Sequence, residues 1–302
     1  MSSPLTLGLD ETVFPLRERL RLAGVPDPSV LFLMATGVGL LPSRLREAHE
    51  VELGELCGEC EPWNGQVLRA GFIGGLAAWL LDDVSGDVSG EPLTALEGAG
   101  EPARPWMRAL PVWLAAAAGA ELVVHTSAGS ALPARAEGRA GVPAPALVAL
   151  YDHVNFSGAT PLLGLGESKL GPLFPDLSRL HHRGLRAAAL SRAAALGIPL
   201  SEAIAACTLG PALETPAERT MLARLGADVS VPNLATPLLA AGHAGLAVLA
   251  LVAVTDASEG AADLRSVLAA AGVLQPALED LVLALVPDLE ATARALAAEL
   301  EA

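Results

Sequence analysis

The stretch AIAACTLGPALETPAERTMLARLGADVSV, residues 203–231, contains the pattern that decides the fold. Its first seven residues form an apolar run typical of a buried strand, and it closes on a second apolar run. Between the runs, Thr215 is a good N-cap and Pro216 suits the first helical position, which predicts a helix over residues 216–225. Strand, helix and strand in this order are typical of an α/β fold.

The same alternation of apolar runs and helical patterns extends along the chain. The predicted strands are residues 30–34, 77–81, 121–125, 146–151, 203–209, 228–231 and 247–255. The predicted helices are residues 106–120, 176–196, 216–225 and a long Ala/Leu/Glu-rich tail ending at residue 302. We therefore expect a single α/β domain over residues 1–302, with a central mixed, mostly parallel sheet covered by helices.

Composition narrows the classes of function. Of the 302 residues, 52% are hydrophobic and 18% are charged, which is typical of a folded globular protein. The formal net charge of −15, without a cluster of Lys or Arg, argues against nucleic-acid binding. The N-terminus has no secretory-signal pattern, and the apolar run at residues 246–254 is far shorter than the roughly 20 residues that cross a bilayer. We expect a cytoplasmic protein with no nucleic-acid or membrane partner.

Cysteine and histidine do not complete a metal site in this sequence. Cys57 and Cys60 have the CxxC spacing of redox and half-metal sites, but no second CxxC or HxxxH completes a ligand set. His181 and His182 fall in a predicted helix, where adjacent side chains face different ways. We expect reduced loop cysteines, solvated or core histidines, and no metal or other cofactor.

Polar residues follow several predicted strands, which is where ligands of α/β sheets tend to bind. Glu214 lies between a strand and a helix. ATGVGLL, residues 35–41, and HTSAGS, residues 125–130, each fit either an anion site built from backbone N–H groups or an ordinary tight turn. Asp256 follows a very apolar strand, so it is either a ligand-facing acid that burial keeps protonated or the cap of the next helix.

Taken in order, these stretches resemble the trimeric family of purine nucleoside phosphorylases, which includes the inosine/guanosine and methylthioadenosine enzymes. LMATGVGLL is similar to the family's phosphate loop GSGLG, ELVVHTSAGS to VVTNAAGG, and YDHVNFSGATPLLG to DHINxxGxNPLxG. GPALETPAE is similar to GPxFET(P/V)AE, and VAVTDAS to a strand that ends in TN or TD. The resemblance covers the chain from about Val30 to its C-terminus.

The resemblance implies a pentosyltransferase in which phosphate attacks C1′ of a purine nucleoside and releases the base. It makes Glu214 the residue that accepts hydrogen bonds from the purine, and Asp256 the residue beside N7, where a protonated acid would donate. It also implies a homotrimer in which Phe156 covers the sugar of a neighbouring subunit. The predicted site residues are Glu214 and Asp256 for catalysis, Thr36, Ser127 and Ser230 for phosphate, and Ala128, Gly129, Phe156, Leu213 and Asn233 for substrate.

The chain departs from the family at its phosphate end. The family's GRxHxYEG stretch carries a phosphate-binding Arg and a nearby His, but residues 81–98 read LDDVSGDVSGEPLTALEG. Acids in this segment, among them Asp83, would repel phosphate if they faced it. The sequence therefore leaves two main hypotheses: a purine nucleoside phosphorylase, or a degenerate member that binds purine or nucleoside as a regulatory or structural subunit. A hydrolytic relative that uses water is a third.

Overall fold

Nine β-strands and seven α-helices alternate along the part of the chain that the computed structural model describes, which comprises residues 8–35, 39–58, 62–84, 105–134, 141–257 and 264–301. The strands are β1 (Val30–Met34), β2 (Arg46–Glu52), β3 (Val67–Ile73), β4 (Leu76–Asp82), β5 (Leu122–Ala131), β6 (Ala146–Asn155), β7 (Leu200–Thr208), β8 (Val229–Pro232) and β9 (Ala247–Asp256). The helices are α1 (Leu9–Leu22), α2 (Leu53–Cys57), α3 (Leu110–Ala117), α4 (Arg183–Leu196), α5 (Pro216–Arg224), α6 (Ala235–His243) and α7 (Leu264–Glu301). Short 3-10 helices cover Leu41–Arg44 and Pro105–Ala109.

The described strands belong to one mixed sheet. Its order is β2-β3-β4-β1-β5-β8-β7-β6-β9, and β9 also pairs with β5. The strands β5, β8, β7, β6 and β9 therefore close into a ring, and β1, β4, β3 and β2 extend the sheet from β5. Parallel pairings join β1 to β4 and β5, β5 to β9, and β7 to β6 and β8. The remaining pairings are antiparallel, and the predicted α/β fold with a mixed sheet is confirmed.

Helices pack on the sheet in two apolar clusters. The first contains buried residues of α1, α3 and α6, and the second contains buried residues of α4 and α7. Trp79 and Trp113 are fully buried in the first cluster, and each indole N–H has a partner. Trp79 Nε1 donates to the carbonyl of Pro26 at 2.8 Å, and Trp113 Nε1 donates to Nδ1 of His243 at 3.0 Å. These bonds let the core bury large aromatic surfaces without leaving a donor unpaired.

The seven strands predicted from apolar runs are all present, although β5 and β6 continue further, to Ala131 and Asn155. Strands β2 and β3 are not predicted by the apolar pattern. β2 reads REAHEVE and lies at the edge of the sheet with most of its residues exposed, so it has no apolar run to recognise. β3 is more buried, but Arg69 and Gly71 interrupt its apolar residues.

Helix α4 begins at Arg183, later than the predicted start at Asp176. Asp176 instead accepts hydrogen bonds from the backbone N–H and the hydroxyl of Ser178, which form a turn. His181 pairs with β9 in an isolated bridge, and His182 caps α4 by accepting a hydrogen bond from a backbone N–H of the first turn. The prediction that both histidines lie within a helix is therefore wrong, because a turn and a cap occupy this segment.

Two of the cysteines lie within the described residues. Cys57, at the end of α2, is disulfide-bonded, so the prediction that it is reduced is wrong. Cys207 is a free thiol in β7, and burial raises its pKa to about 12. Cys207 is therefore a packing residue with little tendency to ionise.

Helix α7 is the one described helix that length and composition would allow to cross a bilayer, over Arg265–Glu299 at a mean hydropathy of 1.6. Polar residues are spaced along α7, so its sequence contains no uninterrupted apolar run that would predict a membrane span. Length and composition alone are weak grounds for a membrane span, since core helices of soluble proteins meet the same test. From Leu278 onward, α7 contributes buried residues to the second apolar cluster, and it packs against β9 and α4.

Candidate active site

Strand pairing brings β8 and β9 to opposite sides of one residue of β5. Ser130 pairs with Ser230 of β8 on one side and with Asp256 of β9 on the other. Because neighbouring strands lie about 4.8 Å apart, the backbones at Ser230 and Asp256 are separated by roughly 10 Å.

Glu214 lies beside Ser230 and is held by two hydroxyl groups. Thr208 Oγ1 donates to Glu214 Oε1 at 2.8 Å, and Ser230 Oγ donates to the same oxygen at 2.5 Å. The two hydroxyl oxygens lie 3.3 Å apart. Glu214 is half-buried, and its Oε2 has no hydrogen-bond partner within the described residues. One carboxylate oxygen is thus fixed, and the other is available to a ligand.

The loop that carries Glu214 is held at both of its ends. The side chain of Asn233 accepts a hydrogen bond from the backbone N–H of Gly210 at 3.4 Å, where the loop begins. Thr215 caps α5 by accepting from the N–H of Glu218, whose carboxylate accepts in return from the Thr215 N–H at 2.7 Å. The predicted helix start is confirmed, and this reciprocal cap fixes the chain direction next to Glu214.

Asp256 is held by an arginine that the sequence does not point to. Arg219 Nη2 lies 2.8 Å from Asp256 Oδ2, and Arg219 Nη1 donates to the carbonyl of Ala257 at 2.9 Å. The Arg219 side chain is 4% exposed and that of Asp256 is 11% exposed. The Arg219 guanidinium therefore occupies one of the two carboxylate oxygens of Asp256. Within the described residues the next helix is α7, which begins at Leu264, so Asp256 does not cap it.

The HTSAGS segment forms the end of β5, and its small residues lie against β8 and β9. Ser127 is 4% exposed, and its hydroxyl is buried without a hydrogen-bond partner within the described residues. A Cβ at Gly129 would lie 2.6 Å from the carbonyl oxygen of Ser230, so only glycine lets β8 come this close. Ala128, between them, is half-buried.

A buried contact between a histidine and a carboxyl group joins the end of β4 to β5. His125 Nε2 is 2.7 Å from Asp83 Oδ2, with side chains that are 2% and 6% exposed. Nδ1 of His125 is buried without a partner within the described residues. The carboxylate of Asp83 is therefore turned toward His125, whereas Asp82 beside it is exposed.

The other predicted site residues fall into three groups. Phe156 and Leu213 are on the surface, 47% and 48% exposed. Asn233 contacts the backbone of the Glu214 loop, as described above. Thr36 lies outside the described residues, and its predicted phosphate role stays a prediction. The residue before it, Ala35, donates its N–H to the carbonyl of Thr126 at 2.9 Å, which ties the end of β1 to β5.

Three residues of the site are not found by sequence reasoning, namely Thr208, Arg219 and His125. Arg219 shares the buried face of α5 with Leu222 and Ala223. An arginine at a position where the helical period predicts an apolar residue is a signal that could have identified it from the sequence. His125 likewise interrupts the apolar run of β5. Among the described residues, no three His, Cys, Asp or Glu side chains form a group that could hold a metal ion.

Comparison with known families and proteins gives consistent matches. The profile described as the Phosphorylase superfamily matches residues 85–287. Purine nucleoside phosphorylase 1 of Bacillus subtilis (strain 168) is 33% identical over 153 residues, which is 51% of this chain and 54% of that protein. The purine nucleoside phosphorylase of Bos taurus is 27% identical over 269 residues, covering 84% of this chain and 87% of that one. The chain thus spans about half the length of the Bacillus relative and most of the bovine one.

A solved structure has the same fold. The purine nucleoside phosphorylase of Schistosoma, crystallised with hypoxanthine, aligns with a TM-score of 0.71 over 92% of this chain and 98% of that one. Sequence identity in this alignment is 21%, so the likeness concerns the fold alone.

Proposed function

Because the chain belongs to the Phosphorylase superfamily, we propose that it is a purine nucleoside phosphorylase. In the proposed reaction an oxygen of inorganic phosphate bonds to C1′ of a purine nucleoside while the bond from C1′ to the purine nitrogen breaks. The electron pair of that bond passes to the base, and the products are a free purine and a pentose 1-phosphate. The relatives named purine nucleoside phosphorylase support this assignment.

One observation carries the proposal: Glu214 offers a single free carboxylate oxygen at a strand end, while two hydroxyls fix the other. A carboxylate accepts hydrogen bonds and does not donate, so it recognises a ligand edge that carries N–H groups. The edge of a 6-oxopurine carries such a group at N1, and guanine adds an amino group. Glu214 is therefore the purine-binding residue in this proposal, and Leu213 lies next to it on the loop.

Asp256 takes part in the proposed reaction as a charged acceptor. Arg219 donates to Oδ2 of Asp256, and the other carboxylate oxygen accepts a hydrogen bond from a purine that has taken up a proton from water at N7. A purine protonated at N7 leaves as a neutral base when it receives the electron pair of the broken bond. Stabilising that protonated form is a form of electrostatic catalysis.

The phosphate end of the proposed site involves Thr36, Ser127 and the backbone of Ala128 and Gly129. The buried Ser127 hydroxyl has no partner within the described residues and is available to an anion. Ser230 is reassigned in this proposal: its hydroxyl hydrogen is directed at Glu214, so it supports the base-binding carboxylate instead of phosphate.

A cytoplasmic homotrimer is part of the proposal. The segment after β6 exposes several large apolar side chains, which would be covered by a neighbouring subunit. They are Phe156, Leu163, Leu173 and Phe174, at 47%, 68%, 53% and 89% exposure. Phe156 would cover the sugar bound by the neighbour. Light scattering after gel filtration should give three times the chain mass, and Phe174→Ser should shift it toward the monomer.

A second function, purine binding without phosphorolysis, is favoured by the sequence of residues 81–98, which contains neither the Arg nor the His of the family's GRxHxYEG stretch. A site without that two-pronged cation would hold a purine but attract phosphate weakly.

An assay on a panel of nucleosides tests the proposed function. Inosine, guanosine, adenosine and methylthioadenosine are incubated with the protein, with and without phosphate, and base release is followed by chromatography. The proposal expects release of at least one base that requires phosphate and that Glu214→Gln abolishes. Binding of a base without release would favour the second function.

A further inference from the structure

Arg219 is a buried cation that bridges α5 to the end of β9. Its Nη2 contacts Asp256 Oδ2 at 2.8 Å, and its Nη1 donates to the carbonyl of Ala257 at 2.9 Å. With its side chain 4% exposed, the guanidinium is almost fully removed from water. Removing an arginine from water is costly unless acceptors replace the lost hydration, and both acceptors here come from one strand end.

The position of Arg219 on α5 links the two carboxylates of the site. Helix α5 begins at Pro216, two residues after Glu214, and its reciprocal cap fixes the direction in which the helix leaves the loop. Arg219 lies in the first turns of this helix and reaches across to Asp256. The same short helix therefore follows Glu214 directly and holds Asp256 in place.

The contact leaves Asp256 with acceptor capacity toward a ligand. Oδ2 is taken by Arg219, whereas the contact of Oδ1 within the described residues is a long one, 3.4 Å from the hydroxyl of Thr255. That hydroxyl also lies 3.3 Å from the carbonyl of Gly129, so it is shared. A carboxylate with one loosely bonded oxygen accepts hydrogen bonds and repels a ligand lone pair.

We infer that Arg219 is a positioning residue that sets base selectivity: it donates to Oδ2 of Asp256 and holds this carboxylate in place, so that its other oxygen accepts a hydrogen bond from the base. The inference rests on the proposed function, because it assumes that a purine binds between Glu214 and Asp256. A base with an N–H group at this edge, such as the amino group of a 6-aminopurine, is favoured relative to a base with a carbonyl oxygen there.

The test compares base affinities by isothermal titration in the full-length protein. Adenine and hypoxanthine are titrated separately into the wild type, Arg219→Met, Asp256→Asn and the double variant. We expect Arg219→Met to shift the ratio of adenine to hypoxanthine affinity toward hypoxanthine by about tenfold or more, the scale of one hydrogen bond to a charged group. In the Asp256→Asn background, Arg219→Met should leave the ratio unchanged, because Arg219 acts through Asp256.

Two further variants control for a structural effect. Arg224→Met removes an exposed arginine from the same helix and should leave both affinities as in the wild type. Arg219→Lys retains the charge without the two-pronged geometry, so it should give an intermediate ratio, and it carries the test if Arg219→Met does not fold.

The outcomes separate the two proposals. An unchanged ratio in folded Arg219→Met and Arg219→Lys, or an equal loss of affinity for both bases, would overturn the selectivity role while base binding stands. If the wild type binds neither base, the proposed function fails and the selectivity role fails with it. Base binding without any phosphorolysis leaves the selectivity role intact.

Discussion

The hydroxyl of Ser230 donates a 2.5 Å hydrogen bond to Oε1 of Glu214, and this contact joins β8 to the loop that enters α5. Thr208 donates to the same oxygen from the end of β7. Two strands thus orient one carboxylate, which reduces the freedom that Glu214 would lose when a ligand binds. The sequence predicts that Ser230 binds phosphate, whereas this contact supports the proposed role of orienting Glu214, and the two roles differ in measurable ways.

Replacing Ser230 should weaken nucleoside binding and leave phosphate binding unchanged. Ser230→Ala removes a hydrogen bond to a charged group, so we expect KM for the nucleoside to rise by about tenfold. KM for phosphate should stay at the wild-type value, because in the proposed site Ser230 contacts Glu214 and not phosphate. Ser178→Ala, in the turn before α4, is the matched control. A rise in KM for phosphate alone would show that Ser230 is a phosphate ligand.

Breaking the buried pair of His125 and Asp83 should cost stability. His125→Leu removes the histidine partner of the buried Asp83 carboxyl group, so we expect the free energy of unfolding to fall by about 1–3 kcal/mol. Urea denaturation followed by circular dichroism measures this change. Asp82→Asn changes the exposed neighbour and should shift the free energy by less than about 0.5 kcal/mol. Equal effects of the two substitutions would contradict a stabilising hydrogen bond between His125 and Asp83.

Substituting Gly129 should separate β5 from β8. The added Cβ of Gly129→Ala would meet the carbonyl of Ser230 at 2.6 Å, so the strands must move and we expect a loss of about 1–3 kcal/mol in the free energy of unfolding. In the control Gly272→Ala, the added methyl group meets nothing within 4 Å on α7, and helix propensity predicts a gain of roughly 0.5–1 kcal/mol. The two substitutions should therefore change the free energy of unfolding in opposite directions. A Gly129→Ala variant as stable as the wild type would disprove the close approach of β5 and β8.

Acid should destabilise the fold through His181. Burial, with a smaller effect of His153, lowers the pKa of His181 from 6.5 to about 4. As the pH falls below about 6.5 the unfolded chain takes up a proton that the folded chain refuses until about pH 4, so stability present above pH 6.5 is lost on acidification. The loss for this group approaches about 3 kcal/mol at pH 4.

Urea midpoints measured from pH 7 to pH 4 test this dependence. Burial also lowers the pKa values of His153, His182 and His243, so the total loss in the wild type has the same sign and is larger. The part due to His181 is the difference between the wild type and His181→Leu, which should lose less stability over this range. His49→Leu, on edge strand β2, is the control. Parallel curves for the wild type and His181→Leu would contradict the prediction.

The sequence predicts the strands and helices around the site better than the side-chain contacts within it. The strand, turn and helix around Glu214 are recognisable because Thr215 and Pro216 are local signals and need no tertiary information. The pairing of Arg219 with Asp256 joins residues 37 positions apart through the register of β5 with β9, which no local pattern encodes. The contact of Ser230 with Glu214 likewise depends on how β7 and β8 pair.

The predictions from sequence differ most from the structure for the acidic residues and their partners. When each acid is considered without a partner, Asp256 is expected to be protonated and Asp83 is expected to repel phosphate. Each has a cationic or ionisable partner in the fold, Arg219 and His125 respectively. A charge in an apolar sequence segment is therefore better read as half of a pair whose partner is still to be found.

The central claim is that phosphate, and not water, accepts the pentose. Phosphorus NMR of the protein incubated with the best nucleoside of the panel and inorganic phosphate tests this claim directly. The proposed function predicts a new sugar-phosphate signal that grows in equal amount with the free base and disappears in Glu214→Gln. Free base with an unchanged phosphate signal would instead identify hydrolysis, and a bound base with no product of either kind would leave only the binding function.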